Sequence, residues 1–319
     1  MVKNYFFNRL RVLVVPVLLC FTITLQAQSA KIFTLSDFDL TGPVKSCMVT
    51  TTYGKEEFNF NKEGLLTKHI TRFSESDYDI TYYKFSNGEI SEKRVENYRD
   101  GVFDRQTSIA NIYVVDTTGN RRKVTEKIVS YSKEFLDQYE YFYNEDGVLE
   151  AIKRNNNNGI ENTTVSYKDV DGEYTTSYIL NDEIQKSLRI SQRKTKASGM
   201  HFIALEKEYF EGKPFKAVEK IHDNKDRLIS EQQFNYDIVA KTFKSTLKIN
   251  FFYNDLGMLI KKQMKEGSNI SVKEYIYQYD NGEKGNWIKQ IITPDNTYIT
   301  RKIKYYTPIV EEVKAEEPK

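Results

Sequence analysis

A turn motif returns at near-regular intervals along this chain, and the recurrence limits the possible folds more than any other feature of the sequence. The pattern is an aromatic residue, Asn or Asp, two mostly polar residues, Gly, then a branched or apolar pair. Three copies are Phe60-Asn61-Lys62-Glu63-Gly64-Leu65-Leu66, Tyr143-Asn144-Glu145-Asp146-Gly147-Val148-Leu149 and Tyr253-Asn254-Asp255-Leu256-Gly257-Met258-Leu259. Looser copies centre on Gly88, Gly119, Gly172 and Gly285, and His222-Asp223-Asn224-Lys225-Asp226-Arg227-Leu228 has Asp in place of the glycine. Neighbouring copies lie 24 to 31 residues apart, apart from one gap of 54 between Gly172 and Asp226. Gly199 stands at the midpoint of that gap, although its flanks depart from the pattern.

Each copy has a physical explanation. Asn or Asp at the start of a turn bonds its own backbone, and Gly takes the left-handed conformation that closes a short hairpin loop. The aromatics before the turns alternate: Phe58 and Phe60; Tyr139, Tyr141 and Tyr143; Phe251 and Tyr253; Tyr275, Tyr277 and Tyr279. Period-two spacing puts each set on one face of a strand. Runs such as Leu65 to Phe73 and Trp287 to Ile292 supply the following strands. A unit near 28 residues therefore holds two strands and two turns. The expected fold is all-β: an extended antiparallel meander of repeated β-hairpins, with sequence neighbours paired, able to curl into an open shell. Composition agrees. The chain has 23 Tyr and 19 Phe against nine Ala, which favours sheet over helix.

The amino terminus reads as an export address. Lys3, Arg9 and Arg11 precede an apolar stretch from Val12 to Leu25, and small residues Ala27, Ser29 and Ala30 follow, so residues 1–30 form the expected signal peptide. Leu18 and Leu19 precede Cys20 without the small residue a lipoprotein signal needs, so lipidation is the minority reading. Without those three basic residues, 44 basic residues face 45 acidic ones, a net charge of −1 that gives no reason to expect nucleic acid. Cys47 is then the last cysteine, which excludes an internal disulfide, and its expected role is a small buried residue. The repeat domain is expected over residues 31–307. Residues 308–319, rich in Glu and Lys, read as a disordered charged tail.

The motif resembles the YD repeats of the Rhs and teneurin-type proteins, which run Tyr-Asp-x-x-Gly-Arg/Asn-Leu. Tyr279-Asp280 with Gly285-Asn286-Trp287-Ile288 is a variant with extra turn residues. Asp39-Leu40-Thr41-Gly42-Pro43-Val44-Lys45-Ser46 looks like the first strand of exported YD-repeat-like proteins of the Bacteroides type. The resemblance covers roughly residues 39–305. It implies a β-shell, which in large members surrounds a cargo or toxin domain, but this chain has too few units to be expected to close one.

Catalytic constellations are hard to find. His69, His201 and His222 are isolated, and no CxxC, phosphate loop or GxSxG elbow occurs. Asp169-Val170-Asp171-Gly172 and Asp280-Asn281-Gly282 could offer oxygens to calcium, but the closing Glu of such a loop is not at the required spacing. Neither a metal nor a cofactor is expected. A mean hydropathy of −0.61 excludes a polytopic helical membrane protein. An outer-membrane barrel fits poorly, because Ser91 to Asp100 offers no clean lipid-facing set. The expectation is a non-enzymatic binding or scaffold protein in the periplasm or at the cell surface, contacting a glycan or a protein partner and not stably inserted in a membrane. Tyr279 and Trp287, flanking the glycine-rich insertion, are the candidate ligand contacts. The competing class is a hydrolase using carboxylates assembled from distant strands.

Overall fold

A computed structural model describes residues 31–307 apart from 120, 133, 196–198 and 282–284. The expected signal peptide, Cys20 and the charged tail lie outside the described residues. The chain runs β1 (Val44–Thr51), β2 (Gly54–Phe60), β3 (Leu66–Arg72), β4 (Tyr78–Ser86) and β5 (Glu89–Arg99). It continues with β6 (Val102–Asp116), β7 (Lys123–Ser130), β8 (Phe135–Tyr143), β9 (Leu149–Asn156) and β10 (Gly159–Val170). Next come β11 (Glu173–Leu180), β12 (Glu183–Thr195), β13 (Gly199–Phe210), β14 (Lys213–His222) and β15 (Leu228–Asp237). The last five are β16 (Thr242–Tyr253), β17 (Leu259–Glu266), β18 (Asn269–Tyr279), β19 (Trp287–Thr293) and β20 (Thr297–Tyr305). Every strand pairs antiparallel with the next, from Cys47 opposite Phe58 in β1 and β2 to Gln290 opposite Ile299 in β19 and β20.

The sheet does not stay open. β1 also pairs with β20, with Cys47 opposite Ile303 and Val49 opposite Arg301, so the meander closes into a barrel of twenty strands among the described residues. This corrects the expected open shell and the expectation of too few units. A repeat count gives strand number, whereas closure depends on the twist summed across the strands, which brings β20 round to β1.

The repeat itself is borne out in place. All nine motif positions, Gly199 included, fall where an even-numbered strand gives way to an odd-numbered one, so the motif turns share one end of the barrel. Asn61, Asn144 and Asn254 accept the Leu65, Val148 and Met258 amides at 2.8–2.9 Å through Oδ1. Gly64, Gly147 and Gly257 sit at φ of +80°, +75° and +83°, as the motif requires. Asp226 takes the same position at φ +59° without being glycine, and Asp223 organises that turn by accepting the Lys225 and Arg227 amides.

Extensive contacts between elements run only between ladder neighbours, so the wall is one layer thick. A closed wall of this many strands encloses more space than its own side chains fill. Two apolar clusters stiffen it. One, at the seam, joins Leu40, Val44, Cys47, Phe58, Phe60 and Leu66. The other lies over β7–β10 and contains Val124, Tyr141, Tyr143, Leu149 and Val165.

Candidate functional site

Residues directly opposite each other in an antiparallel ladder share a face, so side chains can be followed around the barrel. One face carries Phe58, Tyr141, Tyr277 and most of the buried residues; it is the tyrosine face. The other carries Glu57, Lys68, Arg94, Lys127, Lys153 and Lys248 and is the charged face.

The predicted aromatic stripes lie on the tyrosine face and hold the wall together. Tyr167, Tyr253 and Tyr277 donate their hydroxyls to the carbonyls of Leu149, Leu228 and Leu259 at 2.7–2.8 Å, the first strand residues after motif turns. Trp287 and Tyr279 are cross-strand partners beside Tyr277. Trp287 is only 5% exposed, and the Arg301 guanidinium lies 3.4 Å from its ring centroid. Arg301 in turn donates to the Phe38 carbonyl at 2.9 Å. Trp287 is thus a packing residue, and Tyr279 sits half-buried beside it. Arg301 and Phe38 are too far apart in sequence for any motif to have linked them.

The other singled-out residues also serve the frame. Cys47 is 1% exposed, and burial pushes its thiol up to about 11, against the opposing pull of Arg301. His69 stacks on Phe58, with ring centroids 4.6 Å apart, and burial holds it down at about 4. His201 and His222 are buried, and Asp223, beside His222, pairs instead with Arg227 at 2.6 Å. Asp169 accepts the Gly172 amide, and Asp280 accepts the Asn286 amide at 2.8 Å, both within turns.

A different constellation stands out on the charged face of β3–β6. Tyr78 and Tyr98 stack across β4 and β5 at 4.6 Å, Phe103 lies 5.6 Å from Tyr98, and Tyr131 meets Phe103 edge-on at 4.8 Å. Tyr82 completes the group two positions beyond Ile80. At its centre, Glu96 accepts the Tyr98 hydroxyl at 3.2 Å and the Tyr131 hydroxyl in a very short bond. Burial and the Glu96 charge push Tyr98 and Tyr82 up, and burial with the Glu96 hydrogen bond does the same to Tyr131, so these phenols stay neutral donors. Arg94 lies over the Tyr131 ring and donates to Glu92 at 2.7 Å. Burial raises the Glu92 carboxyl, but Lys84 and Arg94 outweigh it and hold the group below its usual range.

A large bulge places Glu96. Val95 pairs with Ile109, but Asn97 pairs with Asp104, so Arg105 to Ser108 leave the ladder and Glu96, opposite Ile80 on β4, has no partner in β6. Fully buried Ser108 fixes the bulge by accepting the Asn97 amide at 3.0 Å and donating to the Asp104 carbonyl. Bulges of this kind re-aim side chains beside functional surfaces. A depression of about 270 Å³ opens among Thr67, Tyr82, Lys84, Glu92, Arg94 and Glu96. The sequence reading missed this group. Its one signal is the alternation Tyr78-Ile80-Tyr82, and Tyr83 and Phe85 obscure it by alternating just as well on the opposite face.

No family model matches the chain, and no curated protein matches it. Among solved structures it is similar to a porin-like protein from Bacteroides uniformis, with 9% identity and a TM-score of 0.30 over 83% of this chain and 98% of that one. A porin-like protein from Bacteroides vulgatus has 8% identity and a TM-score of 0.23 over 83% and 99%. A protein of unknown function from Bacteroides fragilis has 11% identity and a TM-score of 0.18 over 52% and 87%. At these scores the likenesses carry no functional assignment.

Proposed function

We propose that this is an exported, non-enzymatic binding protein, and that the aromatic patch around Glu96 is where it holds a glycan. The observation that carries the reading is the patch itself: five aromatic rings gathered with Glu92, Arg94 and Glu96, on a face that elsewhere mixes charges with single apolar residues such as Ile112, Phe142 and Ile276. Aromatic rings take the apolar faces of sugars, and fixed carboxylate and guanidinium groups take their hydroxyls. The reading moves the contact from Tyr279 and Trp287 to Tyr82, Tyr98 and Tyr131. It keeps the kinship with exported YD-repeat proteins, whose motif the Asn/Asp-x-x-Gly turns resemble.

The barrel is read as bathed in water after export. Charges sit within the strands on both faces: Lys93, Glu126, Arg154, Lys220, Glu231 and Lys262 on one, Glu57, Lys68, Lys127, Arg189, Lys207 and Lys248 on the other. A basic residue facing lipid at mid-membrane costs about 2–4 kcal/mol, so either face would make insertion unfavourable. Binding is favoured over hydrolysis because Glu92 and Glu96 lie four residues apart on one strand. That is ~13 Å along β5, beyond the spacing of paired glycosidase carboxylates.

A glycan array with the purified protein tests the proposal. Binding that is lost in Tyr82→Ala and Tyr98→Ala, both half-exposed and tolerable to the fold, is the expected result. A blank array, or binding indifferent to both changes, overturns it. Fractionation of the source cells tests the setting: release from membranes by alkaline carbonate is expected, and retention would mean a lipid-embedded wall.

A further inference from the structure

The geometry points to acidic oligosaccharides, chains bearing carboxylate or sulfate groups, as the ligands of the charged-face patch; this rests on reading the patch as a glycan site. Two cross-strand rows define it. Lys55 pairs with Arg72, Arg72 with Tyr78, Tyr78 with Tyr98 and Tyr98 with Phe103. In the second row Lys68 pairs with Tyr82 and Tyr82 with Arg94. The rows thus repeat one device, a cation beside a tyrosine. The Arg72 guanidinium lies 4.9 Å from the Tyr78 ring centroid, and the Lys68 ammonium 5.4 Å from that of Tyr82. Lys68 and Arg72 are four residues apart on β3, so the two devices repeat at ~13 Å.

The charges of this patch are unevenly matched. Its carboxylates already have partners: Glu92 with Lys84 and Arg94, Glu96 with Tyr98 and Tyr131, and Glu57 with the Asn59 amide at 3.3 Å. Lys55, Lys68 and Arg72 form no ion pair with any described carboxylate. A cation held over a ring keeps its full charge and is already partly desolvated, which suits it to an anion arriving on a sugar. Space is available at both devices. A depression of about 400 Å³ opens beside Lys55 and Arg72, and the one of about 270 Å³ lies beside Tyr82. Glu75 in the β3–β4 turn is the one acidic side chain on the rim of the larger hollow. A chain laid along β3 and β4 would place one acidic sugar at each device, its anionic group at Arg72 or Lys68 and its ring against the outer edge of Tyr78 or Tyr82.

Isothermal titration of the purified protein with polygalacturonate, and with the same polymer after its carboxyls are reduced to alcohols, tests the assignment. Alginate and chondroitin sulfate against dextran and xylan extend the series. Binding at least tenfold tighter to the acidic members is expected. Lys68→Gln with Arg72→Gln should remove most of that preference and leave any residual affinity for the reduced polymer unchanged. Lys248→Gln with Lys265→Gln, a cross-strand pair on the same face far from the patch, should change nothing. Equal affinity for acidic and reduced polymers overturns the acidic preference but leaves the glycan site standing. A loss as large in the distant pair as in Lys68 and Arg72 also overturns it, because the attraction would then be diffuse. No binding to any polymer, acidic or neutral, overturns the glycan site with it. Circular dichroism of each variant confirms that the barrel has formed.

Discussion

The two apolar clusters solve the same problem, stiffening a wall one layer thick, by different means. The cluster over β7–β10 is assembled from strand neighbours and relies on tyrosine. Its Tyr141 hydroxyl donates to Glu126 at 3.2 Å, as does that of Tyr113 at 2.8 Å, and burial with that carboxylate pushes both phenols up. The seam cluster is apolar and needs a segment from outside the ladder. The residues before β1 form a short 3₁₀ turn, Leu35–Phe38, whose Phe38 packs 4.5 Å from Phe58 and 5.5 Å from Phe60. Buried Asn286 ties that segment down by accepting the Thr41 amide at 2.8 Å and donating to the Thr41 carbonyl at 2.9 Å. Where consecutive hairpins meet, local pairing suffices. Where the first strand meets the last, loop closure across the whole chain opposes pairing, and extra buried surface offsets it.

Four changes would break or sharpen this contrast. Phe60→Ala should have the largest effect, a loss of about 3–5 kcal/mol from an emptied core position. Hydrogen exchange should then speed up first in β1 and β20 while β7–β10 stays protected; uniform loss around the barrel would erase the distinction between the clusters. Mild acid should weaken the seam and spare the β7–β10 cluster, although burial holds His222 at the end of β14 below its usual range as well. His69 titrates near 4 in the fold and near 6.5 unfolded, so the unfolded chain binds more protons between those values. The stability that His69 contributes is therefore complete above about pH 6.5 and falls away toward about pH 4, by at most ~3 kcal/mol. Denaturant melts of the native protein and His69→Gln should diverge in that window, and parallel curves would dismiss the histidine.

Tyr141→Phe should cost the β7–β10 cluster about 1–2 kcal/mol, since Glu126 keeps Tyr113 and Asn111 as donors. Burial keeps the Tyr141 phenol itself protonated throughout the window in which His69 titrates. The smallest effect should be a gain. Asp226→Gly relieves a left-handed residue in an exposed turn and should stabilise by about 0.5–1 kcal/mol in chemical denaturation. A loss there would mean that the aspartate side chain contributes more than its backbone strain costs.

Much of this wall was legible in the sequence. Asn61, Gly64, Asn144, Gly147, Asn254 and Gly257 announced their turns because an Asx bond and a positive φ are decided within five residues. The alternating tyrosines announced their strands for a similar reason, the two-residue pleat. The candidate site was not legible. Tyr78 and Tyr82 look in sequence like any other stripe, and Tyr82-Tyr83 offers a ring to each face. The bulge at Arg105 to Ser108 carries no glycine to mark it, and the contact of Tyr131 with Glu96 spans 35 residues.

The sequence by itself determined the all-β class, eight of the nine motif turns, the pairing of neighbours and the burial of Cys47, because each follows from local backbone preference or from period-two patterning. Only the tertiary structure decided that the sheet closes, which stripe packs and which gathers into a patch, and that Trp287 is covered. Those outcomes depend on accumulated twist and on meetings such as Arg301 with Phe38 or Asn286 with Thr41. No local propensity encodes the distance between such partners, and the barrel brings them together only once all its strands are in place.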